Sequence, residues 1–339
     1  MKLLMISTDK NIFNKKSATA LRQIEYSKKY EEVHIIVFTK KGCSESTLGQ
    51  NIWIYPTRSG SRWAYIFDAL RIGRFITEKR AITHITCQDP FETGVVGVLI
   101  KNRYKNAIPT LELQVHTDIG SPYFQNFSFL NRVRIFISKY TLPKADSVRV
   151  VSDRIKKYIS KHISESKIYV KPIFVDAQKI QSAPIHTDLQ KKYPQFNKIV
   201  LMVSRLEKEK NIAMAIRAWK IVLEKYKYSA YMVQTRSPGL VIVGSGSEEW
   251  GLRRLVEGLK MEGQVIFEGW QEDIASYYKT CDCFLVTSWY EGYGMTLAEA
   301  QAFGCKIVST DVGIAEEVKA RIVEHNEDKI AVAITEMIL

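Results

Sequence analysis

Short apolar runs of three to seven residues alternate along the whole chain with longer stretches of helical period. In the first half the runs fall at residues 2–7, 33–38, 52–55, 82–86, 110–116, 147–151 and 168–171, with amphipathic stretches such as 18–30 and 67–79 between them. The second half repeats the rhythm at 199–203, 240–243, 265–267, 283–286 and 306–309, with helices expected over 212–225, 248–260, 273–280 and 294–303. Apolar strands joined through helices belong to parallel sheets covered on both faces. A more polar segment from Asp176 to Asn197, carrying Pro184 and Pro194, divides the two series. The expected architecture is α/β: two doubly wound parallel-sheet domains, residues 1–180 and 181–339, facing each other across a cleft. Ligands of such sheets sit at the carboxyl ends of the strands, so candidate chemistry is sought there.

Charge separates the halves. Residues 1–180 hold 30 Lys and Arg against 15 Asp and Glu, whereas residues 181–339 hold 19 against 21. A uniformly basic nucleic-acid coat would not divide this way, and the first half is expected to meet a negatively charged partner or surface. Its segment 124–144, from Phe124 to Lys144, sets Arg132, Arg134, Lys139 and Lys144 among Phe127, Phe129, Phe136 and Tyr140. Basic and aromatic residues on a helix suit the interface of an anionic membrane, and Arg71, Arg74, Lys79, Arg80, Lys101, Arg103 and Lys105 add to the field. The expectation is a cytoplasmic protein held peripherally at the inner leaflet.

Other classes are disfavoured. No apolar stretch approaches the ~20 residues that span a bilayer. The opening MKLLMISTDK reads as a first strand because it lacks the hydrophobic region of a signal peptide. Five scattered cysteines suggest reduced thiols in the cytosol, and the Cys281-Asp282-Cys283 triplet reads as strand thiols. Without HExxH, CxxC or a pair of aspartates one residue apart, no metal cofactor is expected.

Four features of the second half follow expected strands. Arg205 and Lys210 lie five residues apart in a loop entering a helix, a spacing that can clamp a phosphate or diphosphate. Gly244-Ser245-Gly246 permits a tight turn and close backbone approach. Gly269 ends the next strand, where a nucleotide base could approach main chain, although a plain turn reads equally well. The most specific feature is Glu291-Gly292-Tyr293-Gly294-Met295-Thr296-Leu297-Ala298-Glu299. Its two carboxylates are eight positions apart, one in a Gly-rich loop and one on the following helix. The amides of Gly294, Met295 and Thr296 are open to an anion at the helix N-terminus. Met295 and Glu299 are i,i+4, which turns Glu299 toward the same mouth, where a carboxylate suits vicinal hydroxyls.

The order Arg205…Lys210, Gly244-x-Gly246, Gly269 and Glu291…Glu299 resembles the C-terminal half of the family 4 retaining glycosyltransferases of GT-B fold. Similar segments in that family match Gln88–Gly94, Leu113–Asp118, Ala145–Ser152 and Pro172–Asp176, so the likeness covers nearly the whole chain. The resemblance implies transfer of a sugar from a nucleotide-diphosphate sugar donor to a glycan or lipid-linked acceptor, with retention of anomeric configuration. It implies that Arg205 and Lys210 bind the donor diphosphate, Glu299 the ribose hydroxyls, and Glu291 the donor sugar, with Gly294, Met295 and Thr296 supporting sugar and phosphate. It places His116 of the first half near the reacting centre. In the family a Gly-rich loop follows the first strand; here the run Asn11–Ala18 has no glycine, and Ser17, Lys15 or Lys16 stands in its place.

Retention is thought to proceed in this family by same-face attack, a donor phosphate oxygen taking the acceptor proton. Glycosidase logic, with two carboxylates flanking the bond, fits Glu291 and Glu299 poorly because both are better placed as polyol binders. Two rivals remain at this level. A nucleotide-sugar epimerase of the same fold would need no acceptor. A basic nucleic-acid-binding protein leaves Glu291 and Glu299 unexplained and lacks an RNP-like motif, so no nucleic-acid partner is expected.

Overall fold

The computed structural model describes residues 1–104, 108–229 and 236–338. Two compact units result, Met1–Pro172 and Ile173–Leu339. The division falls before the expected 180/181 because the polar segment folds onto the second unit. Helices Ala177–Ser182 and Leu189–Lys192 form within it. Gln181 Nε2 donates to the Ala302 carbonyl at 3.1 Å, His186 N–H to Ser276 Oγ at 2.8 Å, and Leu189 N–H to Thr280 Oγ1 at 3.2 Å.

The first unit is an eight-stranded sheet built from β1 (Lys2–Ser7), β2 (Glu32–Val37), β3 (Ser46–Leu48), β4 (Ile52–Pro56), β5 (His84–Cys87), β6 (Thr110–Val115), β7 (Ser147–Val150) and β8 (Ile168–Val170). Its order is β3-β4-β2-β1-β5-β6-β7-β8, parallel throughout except that β3 runs antiparallel to β4. Every residue of β1 after Lys2 and of β2 after Glu32 is buried, as a strand covered on both faces requires. Helices Tyr65–Arg80, Glu92–Lys101 and Phe129–Thr141 lie side by side. The middle one sits so close to β5 and β6 that a Cβ on Gly97 would stand 2.4 Å from Cys87 Sγ and 2.8 Å from Leu111 Cδ1.

Segment 124–144 is not one helix. Pro122–Phe127 and Phe129–Thr141 are separated at Ser128, whose Oγ accepts the Asn131 N–H at 3.1 Å and so starts the second helix. Pro143 sits in the 3₁₀ turn Leu142–Lys144 that follows. Phe124, Ile135 and Leu142 are buried, whereas Phe129, Val133, Phe136 and Tyr140 form an exposed stripe at helical spacing.

The second unit holds β9 (Phe196–Val203), β10 (Ser237–Val243), β11 (Val265–Gly269), β12 (Cys283–Val286), β13 (Ile307–Thr310) and β14 (Arg321–Val323), in the all-parallel order β11-β10-β9-β12-β13-β14. One apolar layer surrounds the fully buried Trp219 of helix Ile212–Ser229, and the other surrounds Tyr277, Tyr278 and Phe284. The triplet at 281–283 is structural. The Asp282 carboxylate accepts the Ile199 N–H at 2.8 Å and the Lys198 ammonium at 3.1 Å, and Cys283 is buried in β12. Strands β3 and β14 are three residues each, too short to show a period in sequence.

Candidate functional site

The carboxyl ends of β9, β10 and β12 gather the marked residues of the second unit. Gly244, at φ +133°, lies so close to the β9 loop that a Cβ would stand 1.9 Å from the Ser204 carbonyl oxygen. At Gly246 a Cβ would meet the Leu206 backbone within 2.7 Å. Hydrogen bonds zip the two loops: Ser204 N–H to Val243 O at 3.0 Å, Leu206 N–H to Ser245 O at 2.9 Å, and Glu248 N–H to Leu206 O at 2.9 Å. The Glu207 carboxylate adds the Ser247 N–H at 3.1 Å and its hydroxyl at 2.7 Å, and this pair of bonds holds the Glu207 carboxyl below its ordinary range. The glycine pair thus supports the loop that carries Arg205. Gly269 joins the same edge: its carbonyl accepts the Gly244 N–H at 2.7 Å, its φ is +68°, and among the described residues nothing lies within 4 Å of where a Cβ would be.

Lys210 ends a 3₁₀ turn before helix Ile212–Ser229, and Asn211 in the left-handed region makes the corner. Its ammonium lies 2.5 Å from Glu291 Oε1, both side chains being 15 % exposed. The same Oε1 accepts the Ser288 hydroxyl at 2.8 Å. Thr287 Oγ1 donates toward the Lys210 and Asn211 carbonyls at 3.2 and 3.1 Å, and Trp289 N–H to the Glu209 carbonyl at 2.8 Å, fixing the β12 loop against the β9 loop. Arg205 is not part of that pair. Its side chain is 70 % exposed and bonds Glu209 at 2.8 Å, so the expected two-cation clamp is split between two carboxylates. Tyr290 feels both carboxylates: burial pushes its hydroxyl up to about 12, with Glu209 and Glu291 adding and Arg205 opposing.

Gly294, at φ +86°, is the N-cap of helix Met295–Ala302, and among the described residues no side chain caps that end. Gly294 O takes the Leu297 and Ala298 amides at 2.9 and 3.3 Å, so the Met295 and Thr296 amides head the uncapped turn. One turn on, Glu299 accepts the hydroxyl of buried Tyr278 at 2.9 Å through Oε2. Burial raises the Glu299 carboxyl, and the Tyr278 bond opposes that shift. Among the described residues Glu299 Oε1 and Glu291 Oε2 receive no bond, leaving each carboxylate one oxygen for hydroxyl groups. Two members of this site escape sequence reasoning. Tyr278 is 21 positions from its partner, and His325, stacked on Trp289 at 4.5 Å and bonded to the Ser288 carbonyl at 3.0 Å, lies in a different loop.

The first unit holds the other two residues of interest. His116 follows β6, its Nε2 3.0 Å from Gln114 Oε1; burial pushes its imidazolium down to about 4, with Arg149 adding and Glu112 opposing. Ser17 caps helix Ala18–Ser27: its Oγ accepts the Ala20 N–H at 3.1 Å and donates to the Asn11 carbonyl at 2.7 Å. Lys15 and Lys16 beside it are exposed. Among the described residues no group of three or more His, Cys, Asp or Glu is placed to hold a metal ion, and no helix is long and apolar enough to cross a membrane.

Residues 187–337 match the family model for glycosyl transferases group 1. An uncharacterised glycosyltransferase of Methanocaldococcus jannaschii is 27% identical over 284 residues, covering 82% of this chain and 64% of the relative. The Campylobacter jejuni N-acetylgalactosamine-N,N'-diacetylbacillosaminyl-diphospho-undecaprenol 4-alpha-N-acetylgalactosaminyltransferase is 28% identical over 194 residues, 56% of this chain and 47% of that enzyme. The chain thus spans less than two thirds of the length of these relatives. In fold it is similar to Anabaena HepE in complex with UDP and glucose, with a TM-score of 0.70 and 17% identity over 99% of this chain and 89% of that one.

Proposed function

With residues 187–337 matching the group 1 glycosyl transferases and both Rossmann-like sheets of the GT-B class in place, we propose that this chain transfers a sugar from a nucleotide-diphosphate sugar to a glycan or lipid-linked acceptor with retention of configuration. The observation that carries the reading is the Lys210–Glu291 pair beside the uncapped N-terminus at Gly294. An ammonium has three donors. One is spent on Glu291, and two are left for a diphosphate. Departure of a nucleoside diphosphate builds negative charge on its oxygens, and preorganised cations and amides aimed there lower the barrier. Arg205, released from Glu209, supplies the second cation; these side-chain cations take the place of a metal. Glu291 Oε2 binds a donor-sugar hydroxyl, Glu299 Oε1 binds the ribose, and a phosphate oxygen of the donor accepts the acceptor proton as the new bond forms on the same face. His116 serves as a hydrogen-bonding group toward the sugars.

The basic first unit is read as a membrane-docking unit. Phe129, at 81 % exposure, and Phe136, at 75 %, share their stripe with Val133 and Tyr140, and exposed Arg132 and Lys139 lie beside it. Phe67, Arg71, Phe75 and Lys79 form a second exposed stripe on helix Tyr65–Arg80. Arg134 is spent on Glu92, Lys101 on Asp146 and Arg103 on Glu78; Lys105 lies outside the described residues. The aromatic rings suit the headgroup boundary and the cations suit anionic lipid. Vesicles carrying anionic lipid and an undecaprenyl-diphosphate-linked sugar test both parts. The protein is expected to float with them at low salt, to release nucleoside diphosphate, and to form an α-linked product from an α-donor. Phe129→Ser with Phe136→Ser is expected to cut flotation ~10-fold through the apolar area removed. Inversion of the anomer, or flotation unchanged in the double variant, contradicts the corresponding part.

A further inference from the structure

Three side chains beneath His116, those of Glu112, Thr86 and Gln114, form a polar chain with a fixed direction. Register sets them side by side: Thr86 on β5 pairs with Glu112 on β6, and Gln114 on β6 pairs with Arg149 on β7. Glu112, Gln114 and His116 alternate onto one face of the strand. A carboxylate only accepts, so the Thr86 hydroxyl donates its single proton to Glu112 Oε1 at 2.8 Å. The other Glu112 oxygen takes the Tyr169 hydroxyl. Thr86 Oγ1 then has only acceptor capacity left, and it receives the Gln114 amide at 2.8 Å. This turns the Gln114 carbonyl toward His116, 3.0 Å from Nε2. The opposite amide orientation would give the one Thr86 proton two acceptors and set Gln114 Oε1 about where its amide now meets Glu112 Oε1, at 3.5 Å.

We propose that Gln114 is a positioning residue for His116: the chain from Glu112 through Thr86 and Gln114 holds the imidazole as its Nε2–H tautomer, so that Nδ1 is presented as a hydrogen-bond acceptor for a substrate hydroxyl. The role of that Nδ1 rests on the transferase reading of His116; the tautomer does not. The surroundings keep the ring neutral, as a lone acceptor requires. Among the described residues, Arg149 from β7, whose Nε is buried without a bond, repels a second proton, and Glu112 on β6 favours one. Tyr169 from β8 and Tyr26 from helix Ala18–Ser27 face the same Glu112–Arg149 pair and are uncharged, burial holding both hydroxyls above their ordinary range. An uncharged acceptor orients a hydroxyl without adding positive charge beside a developing sugar cation.

The test combines long-range ¹⁵N–¹H correlation spectra of the histidine-labelled full chain with kinetics of the variants. In the wild type at pH 7, His116 is expected to show the Nε2–H pattern. Gln114→Glu keeps an acceptor for Nε2–H but adds a negative charge, and it is expected to raise the pH at which His116 protonates by a unit or more. The acid limb of kcat/KM is expected to move with it. Gln114→Met, which fills the space without the bond, is expected to mix the tautomers and lower kcat ~10-fold with donor KM unchanged. An Nδ1–H or doubly protonated ring in the wild type overturns the proposal, and so does an unchanged acid limb in Gln114→Glu. Full activity in His116→Ala, with the Nε2–H pattern present in the wild type, overturns the transferase role of His116 and leaves the tautomer assignment standing.

Discussion

Replacing Lys210 with alanine is expected to lower kcat by ~10²-fold or more, the scale on which removal of one preorganised charge-stabilising donor acts. Lys210 sits at the end of a 3₁₀ turn whose corner, Asn211, is left-handed, and its ammonium is aimed at Glu291 rather than into solvent. The substitution also strips Glu291 of its cation while leaving the Ser288 bond, so about 2 kcal/mol of stability should go with it. Arg205→Ala separates the two effects. Its side chain is mostly exposed and bonds only the nearby Glu209, so the fold should be nearly unaffected while kcat falls by a similar ~10²-fold. Steady-state kinetics with saturating donor, alongside thermal denaturation of each variant, read both quantities. Near-normal turnover in both variants would remove the diphosphate assignment.

The largest effect on stability is expected at Gly244. An alanine there must adopt φ +133° and place its Cβ 1.9 Å from the Ser204 carbonyl oxygen, a backbone atom that cannot step aside without moving the Arg205 loop. Left-handed strain and overpacking together should cost roughly 3–5 kcal/mol, or a melting temperature lower by roughly 10 °C for a unit of this size. Gly251→Ala is the control. It lies inside helix Glu249–Gly258 with nothing within 4 Å of the added methyl, so it should be neutral or stabilising by up to ~1 kcal/mol. Comparable melting temperatures for the two variants would show that the glycine loop is not packed as described.

These two sites also mark where sequence reasoning succeeds and stops. The alternation of apolar runs with helical stretches is enough to expect β1, β2 and β9–β13, because strands buried on both faces leave continuous apolar runs. The spacing of Glu291 and Glu299 is likewise visible, since both flank one loop and its helix. Long-range pairing is not. Nothing local tells that Lys210 is held by Glu291, 81 positions away, or that Tyr278 supports Glu299 from another helix. The glycine pair at 244 and 246 illustrates the same limit. Its spacing suggests close backbone approach, and the partner of that approach is the β9 loop. The break at Ser128 has a local cause, since a serine three residues before Asn131 can take its amide, but the aromatic run around it reads as one continuous helix.

Under the proposed function the second unit binds a nucleotide-diphosphate sugar through Lys210, Glu291 and Glu299. Thermal denaturation of the wild type and of Lys210→Ala with UDP-, GDP- and ADP-sugars tests it most directly. At 100 times its dissociation constant, one of these donors should stabilise the wild type by roughly 2.7 kcal/mol, and Lys210→Ala should lose most of that gain at the same concentration. No change with any of the three, or an equal gain in the variant, would contradict the assignment.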